Sequence, residues 1–363
     1  MKKFILLFWT VCMTLPLFAQ GKGNIDIPDL KGYVTLKCDF HIHTVFSDGT
    51  VWPTVRIGEA YREGLDAIAI TDHIEYRPHK DDMVASHNRS YDIALPTAKD
   101  RGIILVKGSE ITRDMPPGHH NAIFITNSEE LDKPDYLDAI RAAKAQNAFL
   151  FWNHPGWLSQ QPDTTLWWPE HTQLLEQGLM QGIEVVNGEY YPEVHRWCLE
   201  KKLTMLGNSD VHAPMPEFAP GKHRTMTLVF ATERSVEAIH DALKNRRTAV
   251  YHDEYIIGEE RYLKELFESA VEINVTKNTA NNTAQITLKN KSDLTFCLKK
   301  AAHDTRLVYF RNTDIEPVTI APHGTRTISV RLNGGITGGD VNFTVENFLA
   351  EPNKGMKYTV KIN

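Results

Sequence analysis

The chain has 363 residues, of which 42% are hydrophobic and 24% are charged. This length and composition are typical of one large folded domain with a smaller one, and they exclude a disordered or fibrous chain. The 46 acidic side chains outnumber the 40 Lys and Arg side chains. Nucleic acid is therefore excluded as a bulk partner, because a protein that binds it needs a basic face.

The N-terminus has the order of an export signal. Lys2 and Lys3 precede an apolar run from Phe4 to Phe18 that ends in the small residue Ala19. We predict a signal peptide over residues 1–20, a linker over 21–31, and export to the periplasm or secretion. An uncleaved membrane anchor is the alternative, although the run is short for a bilayer span. No other stretch of the sequence has the apolar length of a membrane span.

Residues 32–256 alternate short β-branched runs with helical patterns, which predicts repeated βα units and a largely parallel sheet. The number of units favours a closed barrel over an open sheet. Strands are predicted at 33–40, 67–70, 103–106, 122–125, 148–152, 183–186, 203–206 and 225–230. Helices are predicted between most of them, for example at 54–63, 135–146, 193–202 and 235–245.

The pattern changes after residue 256. Residues 257–270 form a charged segment that predicts a connecting helix. Residues 271–363 contain only short alternating strands separated by Asn, Gly and Pro, which is typical of an immunoglobulin-like β-sandwich. The strands are predicted at 271–275, 284–289, 296–300, 307–310, 318–320, 325–332, 340–345 and 356–362. We interpret this segment as an accessory domain, because its sequence holds no cluster of metal-binding residues.

Histidine and carboxylate side chains adjoin the ends of several predicted strands between residues 32 and 256. A single histidine there is usually a hydrogen-bonded residue, but recurrence at successive strands favours a shared metal site. Loops that follow parallel strands meet on one face of a barrel, and imidazole with carboxylate suits Zn, Mn or Fe. The candidate ligands are His41, His43, Asp48, His73, Glu110, His119, His120, His154, Asp210 and His212.

These motifs, in this order, resemble those of the PHP (polymerase and histidinol phosphatase) family. The resemblance covers roughly residues 35–250. It implies a distorted (β/α)7 TIM-like barrel that binds two or three divalent metal ions, Mn, Fe or Zn, and hydrolyses phosphoesters. The motifs are His41-x-His43 with Ser47-Asp48-Gly49, Thr71-Asp72-His73, Glu110, Gly118-His119-His120-Asn121, Asn153-His154-Pro155 and Ser209-Asp210-x-His212.

The resemblance also implies how the ligands are shared. The first metal would use His41, His43, Glu110 and Asp210; the second Glu110, His154 and one of His119 and His120; the third Asp48, His73 and His212. His119 and His120 point to opposite sides of a strand, so only one is expected to bind, and the sequence leaves open which. Asp72 is expected to orient a liganding histidine rather than to bind metal.

The resemblance implies a phosphoesterase, and we expect it to attack a small-molecule phosphodiester or phosphomonoester with a metal-activated hydroxide, the diester being favoured. Arg113 and Arg224, together with Lys222, Arg77 and His79, are candidates for stabilising developing charge, and His223 for protonating the leaving group. Ordinary solvated charge is the alternative for each. The aromatic residues Trp157, Trp167, Trp168, Tyr190, Tyr191 and Trp197 are predicted to line a pocket, or else to pack in the core.

Two other functions are compatible with the same residues. One is hydrolysis of a carboxylic ester, amide or carbamate, since an activated water attacks a carbonyl as readily as phosphorus. The other is an inactive binding protein in which the barrel serves as a scaffold. The sequence leaves the oligomeric state and the substrate open.

Overall fold

The structure, a computed structural model, describes residues 22–301, 308–310, 317–332 and 338–363. The predicted signal peptide lies outside the described residues, as does the first residue of the strand predicted at 307–310. Within the described part of the chain, no helix is both long enough and apolar enough to cross a membrane.

The strands of the first domain form a mixed sheet. They are β1 (Val34–Asp39), β2 (Ala67–Ile70), β3 (Ile104–Ile111), β4 (His120–Ile123), β5 (Phe149–Trp152), β6 (Gly182–Asn187), β7 (Glu189–Tyr190), β8 (Thr204–Asn208), β9 (Met226–Ala231), β10 (Thr248–His252) and β11 (Tyr255–Gly258). The prediction of parallel pairing is confirmed for β1, β2 and β3 and for β5, β6 and β8. It is wrong for β4 and β9, which pair antiparallel with their neighbours. Strands β10 and β11 were not predicted; β10 is antiparallel to both β9 and β11.

The reversed direction of β4 matters for the site. Strand β4 lies between β3 and β5 and is antiparallel to both. Its N-terminal end, which carries His119 and His120, therefore lies at the same edge of the sheet as the C-terminal ends of its neighbours. The antiparallel strand thus adds to the set of side chains that the parallel strands deliver.

Helices cover the sheet between its strands: α1 (Pro53–Arg62), α2 (Arg89–Arg101), α3 (Tyr136–Ala145), α4 (Pro169–Glu176), α5 (Pro192–Lys201) and α6 (Val236–Lys244). Local sequence sets several of their starts. Asp135 and Ser235 accept hydrogen bonds from backbone N–H groups in the first turns of α3 and α6. Proline is the first residue of α1, α4 and α5, where its missing N–H costs nothing. The four predicted helices are confirmed to within a residue or two at their ends.

Strand β8 contacts β9 and β10 through side chains. Oγ1 of Thr227 accepts from the N–H of Gly207 over 3.0 Å, and Oγ1 of Thr248 donates to the carbonyl of Met205 over 2.8 Å. A Cβ at Gly207 would lie 2.1 Å from a methyl carbon of Val250, so only glycine allows this approach. A mixed sheet with helices is what the strand pairing establishes, and closure into a (β/α)7 barrel stays a prediction.

The second domain is a β-sandwich joined directly to the sheet of the first. Its strands are β12 (Val271–Asn278), β13 (Thr283–Asn290), β14 (Phe296–Lys300), β15 (Val308–Phe310), β16 (Val318–Ile320), β17 (Thr325–Leu332), β18 (Gly339–Glu351) and β19 (Lys354–Ile362). One sheet has the order β12-β13-β17-β15, and the other contains β16, β14, β18 and β19. All eight predicted strands are found, and β18 also pairs in parallel with β11.

The connecting helix, α7 (Glu260–Ala270), lies at the junction of the domains. Residues 257 and 258, which were predicted to begin it, instead complete β11, because this apolar segment pairs with β18. Leu263, Leu266 and Phe267 of α7 are fully buried in a core that extends into both domains. The accessory domain is therefore part of one continuous apolar core with the sheet that carries the site.

Candidate metal centre

Four ligand atoms converge where β1, β3 and β8 end. Nε2 of His41 lies 3.2 Å from Oε2 of Glu110 and 3.1 Å from Oδ1 of Asp210. Nε2 of His43 lies 3.2 Å and 3.0 Å from the same two oxygens. Such separations suit atoms that share one ion, whose bonds to nitrogen and oxygen ligands are about 2.1 Å long.

Unpaired polar atoms show that these side chains fit a cation. Nε2 of His43, Oδ1 of Asp48 and Oδ1 of Asp210 are buried and have no hydrogen-bond partner among the described residues. A buried polar atom without a partner costs roughly 1 to 3 kcal/mol. Divalent ions held by the cluster would satisfy these atoms, and histidine with carboxylate is the ligand set that Mn, Fe and Zn accept.

A second group of ligand atoms, those of His119 and His154, faces the other oxygen of Glu110, and each of these histidines also lies close to a further one, His119 to His73 and His154 to His41. Oε1 of Glu110 lies 2.8 Å from Nδ1 of His119 and 3.5 Å from Nε2 of His154. Glu110 thus presents one oxygen to the first group and one to the second. This placement is the one that the resemblance implies for a bridging carboxylate.

Asp48, His73 and His212 form a third group beside His43. Oδ2 of Asp48 lies 3.2 Å from Nε2 of His212, and Oδ1 lies 3.5 Å from Nε2 of His73. The ring of His43 stacks on those of His212 and His73, with centroids 4.2 Å and 4.5 Å away. The third group is therefore packed directly against the first.

The structure brings nine of the ten predicted ligands together and leaves out His120. His120 is buried, and its Nδ1 lies 3.1 Å from the carbonyl oxygen of Gly118. Burial, reinforced by the nearby charge of His171, lowers the pKa of His120 to about 3. The prediction that only one of the pair could bind is consistent with this placement, and His119 is the one in the cluster.

Opposite charges dominate the electrostatics of the cluster. Burial acts to lower the pKa of His43, but its contacts with Asp210 and Glu110 outweigh that effect and raise the pKa to about 9. Burial acts to raise the pKa of Glu110, but the imidazoles around it, those of His73 and His41 first, hold this pKa well below its usual range. The carboxylates are therefore ionised and offer their charge to a cation.

Asp72 lies beside the cluster and is not among its ligand atoms. Its carboxylate accepts from the N–H and the hydroxyl of Thr44, both over 2.7 Å, and from the hydroxyl of Ser47 over 2.8 Å. The Ser47 hydroxyl in turn lies 3.3 Å from Nδ1 of His43. Asp72 thus reaches a liganding histidine through one hydroxyl and fixes the turn that carries Asp48.

Glu184, a fully buried carboxylate in the middle of β6, was not predicted from the sequence. Nδ1 of His41 donates to Oε1 of Glu184 over 2.9 Å, which leaves Nε2 of His41 free to face the first metal position. Glu184 also accepts from the backbone N–H of His154 over 2.7 Å and from the amides of Asn187 and Asn208. The presence of a carboxylate within an otherwise apolar predicted strand was the sequence feature that could have indicated its role.

Backbone conformation also marks two of the ligands. His154 and Asp210 have positive φ angles of 29° and 51°, a region that side chains other than glycine rarely occupy. Such residues cost roughly 1 to 3 kcal/mol each, and the surrounding structure must hold them in place. Gly49 has a related role, since a Cβ there would lie 2.7 Å from the backbone of His43.

The predicted catalytic cations do not line the pocket above the cluster. Arg113 pairs with Glu75 and donates to the carbonyl of Lys133 over 2.7 Å. His223 places Nδ1 2.7 Å from the carbonyl oxygen of Arg224 and Nε2 3.0 Å from that of Asp253. These predictions are wrong in placement, because other groups of the chain already engage the charged atoms.

Arg224 is buried behind the site. Its guanidinium bonds Asp39 over 2.9 Å and Glu63 over 2.7 Å and 3.0 Å. Asp39 also accepts from the N–H and hydroxyl of Ser209, next to Asp210. Arg224 therefore stabilises the link between β1 and the loop after β8.

The remaining candidates also lie away from the pocket above the cluster. Lys222 lies in a separate cavity beside His223, Arg77 donates to backbone carbonyls of Phe46 and Ala85, and His79 does not line the pocket.

Arg224→Met is expected to lower the free energy of unfolding by about 3 kcal/mol, since it takes the counter-charge from the buried carboxylate of Asp39 and removes the nearer of the two arginines beside Glu63. Denaturant unfolding of the metal-free protein measures this change. Arg196→Met is the matched control, because Arg196 is exposed and pairs with Glu200 on the surface, so its effect should stay within about 0.5 kcal/mol. Unchanged stability of Arg224→Met with reduced turnover would instead indicate a direct role in the reaction.

Of the aromatic residues that were predicted either to line a pocket or to pack in the core, some do the one and some the other. Trp157 and Tyr191 line the pocket above the metal ligands. Trp167 and Trp197 pack edge to face, with ring centroids 5.4 Å apart, in the core beneath, where both also contact Trp152. The pocket has a volume of about 930 Å³, which is large enough for a drug-sized organic molecule.

A mixed α/β domain with clustered histidines and carboxylates defines the class of metal-dependent hydrolases. The comparisons agree with that class. A two-domain protein of Bacteroides vulgatus that contains a predicted PHP-like metal-dependent phosphoesterase is 55% identical, with a TM-score of 0.90. The match covers 94% of this chain and 99% of that one. The chain therefore belongs to the PHP family.

Other matches cover parts of the chain. A family model described as an Ig-like domain matches residues 271–361 and thus confirms the sandwich. An uncharacterised protein of Methanocaldococcus jannaschii is 28% identical over 189 residues, or 49% of this chain and 83% of that protein. A 5'-3' exoribonuclease of Haemophilus influenzae is 35% identical over 79 residues, which is 22% of this chain and about a quarter (24%) of that enzyme.

Proposed function

We propose that this protein hydrolyses a small-molecule phosphoester, and that a phosphodiester is preferred to a phosphomonoester. The observation that carries the proposal is the position of Glu110, whose two oxygens face two adjacent groups of ligand atoms. Adjacent divalent ions are typical of enzymes that transfer phosphoryl groups. When bound, such ions increase the acidity of water and neutralise charge on the phosphoryl oxygens.

The preference for a diester follows from charge. A phosphodiester carries one negative charge near neutral pH, whereas a monoester carries close to two. Three of the carboxylates that line the pocket, those of Asp48, Glu110 and Asp210, belong to the ligand cluster, so Glu189 keeps its charge when cations are bound, and the described lining includes neither Lys nor Arg. A ligand with fewer negative charges is repelled less by such a wall, because like charges close together disfavour binding.

The residues of the chain have positioning roles in this proposal. Glu184 holds the ring of His41 and the backbone of His154, and Asp72 holds the turn that carries Asp48. The ligands are thereby fixed before substrate arrives, which is the arrangement that favours catalysis over mere binding. We further propose that the domain closes as a (β/α)7 barrel, that two or three ions of Mn, Fe or Zn bind, and that the protein is exported.

A substrate panel tests the proposal. Purified protein would be stripped with a chelator and reloaded separately with Mn, Fe or Zn. It would then be assayed with bis(p-nitrophenyl) phosphate, p-nitrophenyl phosphate and p-nitrophenyl acetate. We expect metal-dependent turnover that is fastest on the diester. Dominant turnover of the acetate would contradict the proposal in favour of carboxylic ester hydrolysis, and absence of turnover with every metal would favour a binding protein.

A further inference from the structure

Two aromatic rings stand at the mouth of the pocket in edge contact with metal ligands. The ring of Tyr76 lies 5.8 Å from that of His73, at an interplanar angle of 73°. The ring of Trp157 lies 5.6 Å from that of His119 and 5.2 Å from that of His154. Tyr76 therefore contacts a ligand of the third group, and Trp157 contacts both histidines of the second group.

These rings are unusually exposed for apolar groups. Tyr76 is 54% exposed, Trp157 is 44% exposed and the neighbouring Leu158 is 66% exposed. Single exposed apolar residues are common on protein surfaces, but a group of them around one cavity marks a binding site. All three line the same pocket. We call Tyr76, Trp157 and Leu158 the apolar rim.

The apolar rim is held in place by contacts at the end of β3. Oε2 of Glu75, next to Tyr76, accepts from the backbone N–H of Thr112 over 2.7 Å, and Glu75 also pairs with Arg113. The side chain of Gln160, in the turn that begins at Trp157, donates to the carbonyl of Arg113 over 2.9 Å. Both parts of the rim thus share one anchor, which reduces the entropy lost on binding.

Charge defines what the rim can accept. The carboxylates of Asp48, Glu110 and Asp210 belong to the ligand cluster, where cations would neutralise them. Glu189 lines the same pocket, is exposed and lies outside that cluster. The pocket wall beyond the metal ligands therefore combines an apolar surface with one negative charge.

We propose that the apolar rim binds an aromatic, uncharged substituent of the phosphoester, and that Glu189 disfavours substituents with further negative charge. The inference depends on the proposed phosphoesterase function and specifies its substrate class. Aromatic rings prefer edge-to-face or offset packing at centroid distances of about 4.5 to 7 Å. A substituent ring placed between Tyr76 and Trp157 would lose its exposure to water while the phosphate remained at the ligand cluster.

Binding of two phosphinates tests the inference without relying on turnover, because both of their substituents are joined to phosphorus through carbon and cannot be hydrolysed. Methyl(phenyl)phosphinate and dimethylphosphinate carry the same single negative charge and differ only in the ring that replaces one methyl group. Calorimetric titration of the metal-loaded full chain gives both dissociation constants. We expect the phenyl compound to bind about tenfold more tightly, which corresponds to about 1.4 kcal/mol. Equal affinities would overturn the inference but leave the phosphoesterase function standing, whereas binding of neither compound would contradict the function itself.

Variants locate the preference on the rim. Tyr76→Ala and Trp157→Ala are expected to bring the phenyl-to-methyl affinity ratio close to one at unchanged metal content, and Trp157→Phe to retain most of it. Trp52→Ala is the matched control, since Trp52 is also 44% exposed but does not line the pocket. A ratio that survives both alanine variants, or falls equally in the control, would overturn the assignment.

A charged analogue tests the role of Glu189. (4-Carboxyphenyl)(methyl)phosphinate should bind several-fold more weakly than the phenyl compound, because its carboxylate approaches a like charge. Glu189→Gln is expected to remove most of that difference without changing the affinity for the uncharged ring. An unchanged difference in this variant would show that Glu189 does not select the substituent.

Discussion

Asp210→Asn is expected to empty the first metal position and to lower kcat/KM by at least about 100-fold. Loss of a residue that only orients a metal ligand already costs about 10- to 100-fold, so loss of a ligand itself should cost no less. Oδ1 of Asp210 lies 3.1 Å from Nε2 of His41 and 3.0 Å from Nε2 of His43. Asparagine keeps the shape of the side chain but removes its charge. His43→Ala should have the same consequence, since it removes a nitrogen from the same group.

Metal content and activity must be measured together for these variants. Elemental analysis of the purified protein gives the number of ions per chain, and a phosphodiester assay gives kcat/KM. Asp138→Asn is the matched control, because Asp138 is an exposed carboxylate of α3 that is 64% accessible, and it should behave as wild type. Full activity with undiminished metal in Asp210→Asn would count against the whole ligand assignment.

The ligand cluster was predictable because its members occupy similar positions relative to the predicted strands. Each lies at or near the end of a short apolar run, and ends of adjacent strands meet at one edge of a sheet. His41 and His43 also show the two-residue spacing that places both side chains on the same side of an extended segment. These are local features, and they survive in a single sequence without any knowledge of the fold.

The partners of the cations were not predictable by the same means. Arg113 pairs with Glu75, 38 residues away, and Arg224 bonds Asp39, 185 residues away. The sequence of a loop rich in Arg and His is the same whether its side chains contact a substrate or a distant carboxylate. Only tertiary structure decides between these outcomes, and here it turns the charged groups away from the pocket.

The antiparallel direction of β4 was missed for a related reason. An apolar run of four residues indicates a strand but carries no record of its direction. Direction depends on the connections at either end, and β3 and β4 are linked by a loop that is too short for a helical crossover. His119 reaches the site nonetheless, because the reversal of β4 places the start of this strand at the edge where the other ligands lie.

Glu184→Gln is expected to weaken metal binding by about 10- to 100-fold, the range typical of losing a partner that orients a metal ligand. Glu184 accepts four hydrogen bonds, from His41, His154, Asn187 and Asn208. A glutamine in its place has one oxygen and an amide group that must face donors, so at least one contact is lost. The ring of His41 is then no longer held with Nε2 toward Glu110 and Asp210.

The metal dependence of turnover separates this positioning role from a purely structural one. We expect the half-saturating metal concentration of Glu184→Gln to rise, and excess metal to restore much of its kcat. A structural defect would lower the free energy of unfolding without moving the metal titration. Glu193→Gln, a change at an exposed glutamate of α5, should leave both quantities as in wild type. Since Glu184 touches His41 and the backbone of His154, a titration identical to wild type would mean that neither contact holds its ligand in place.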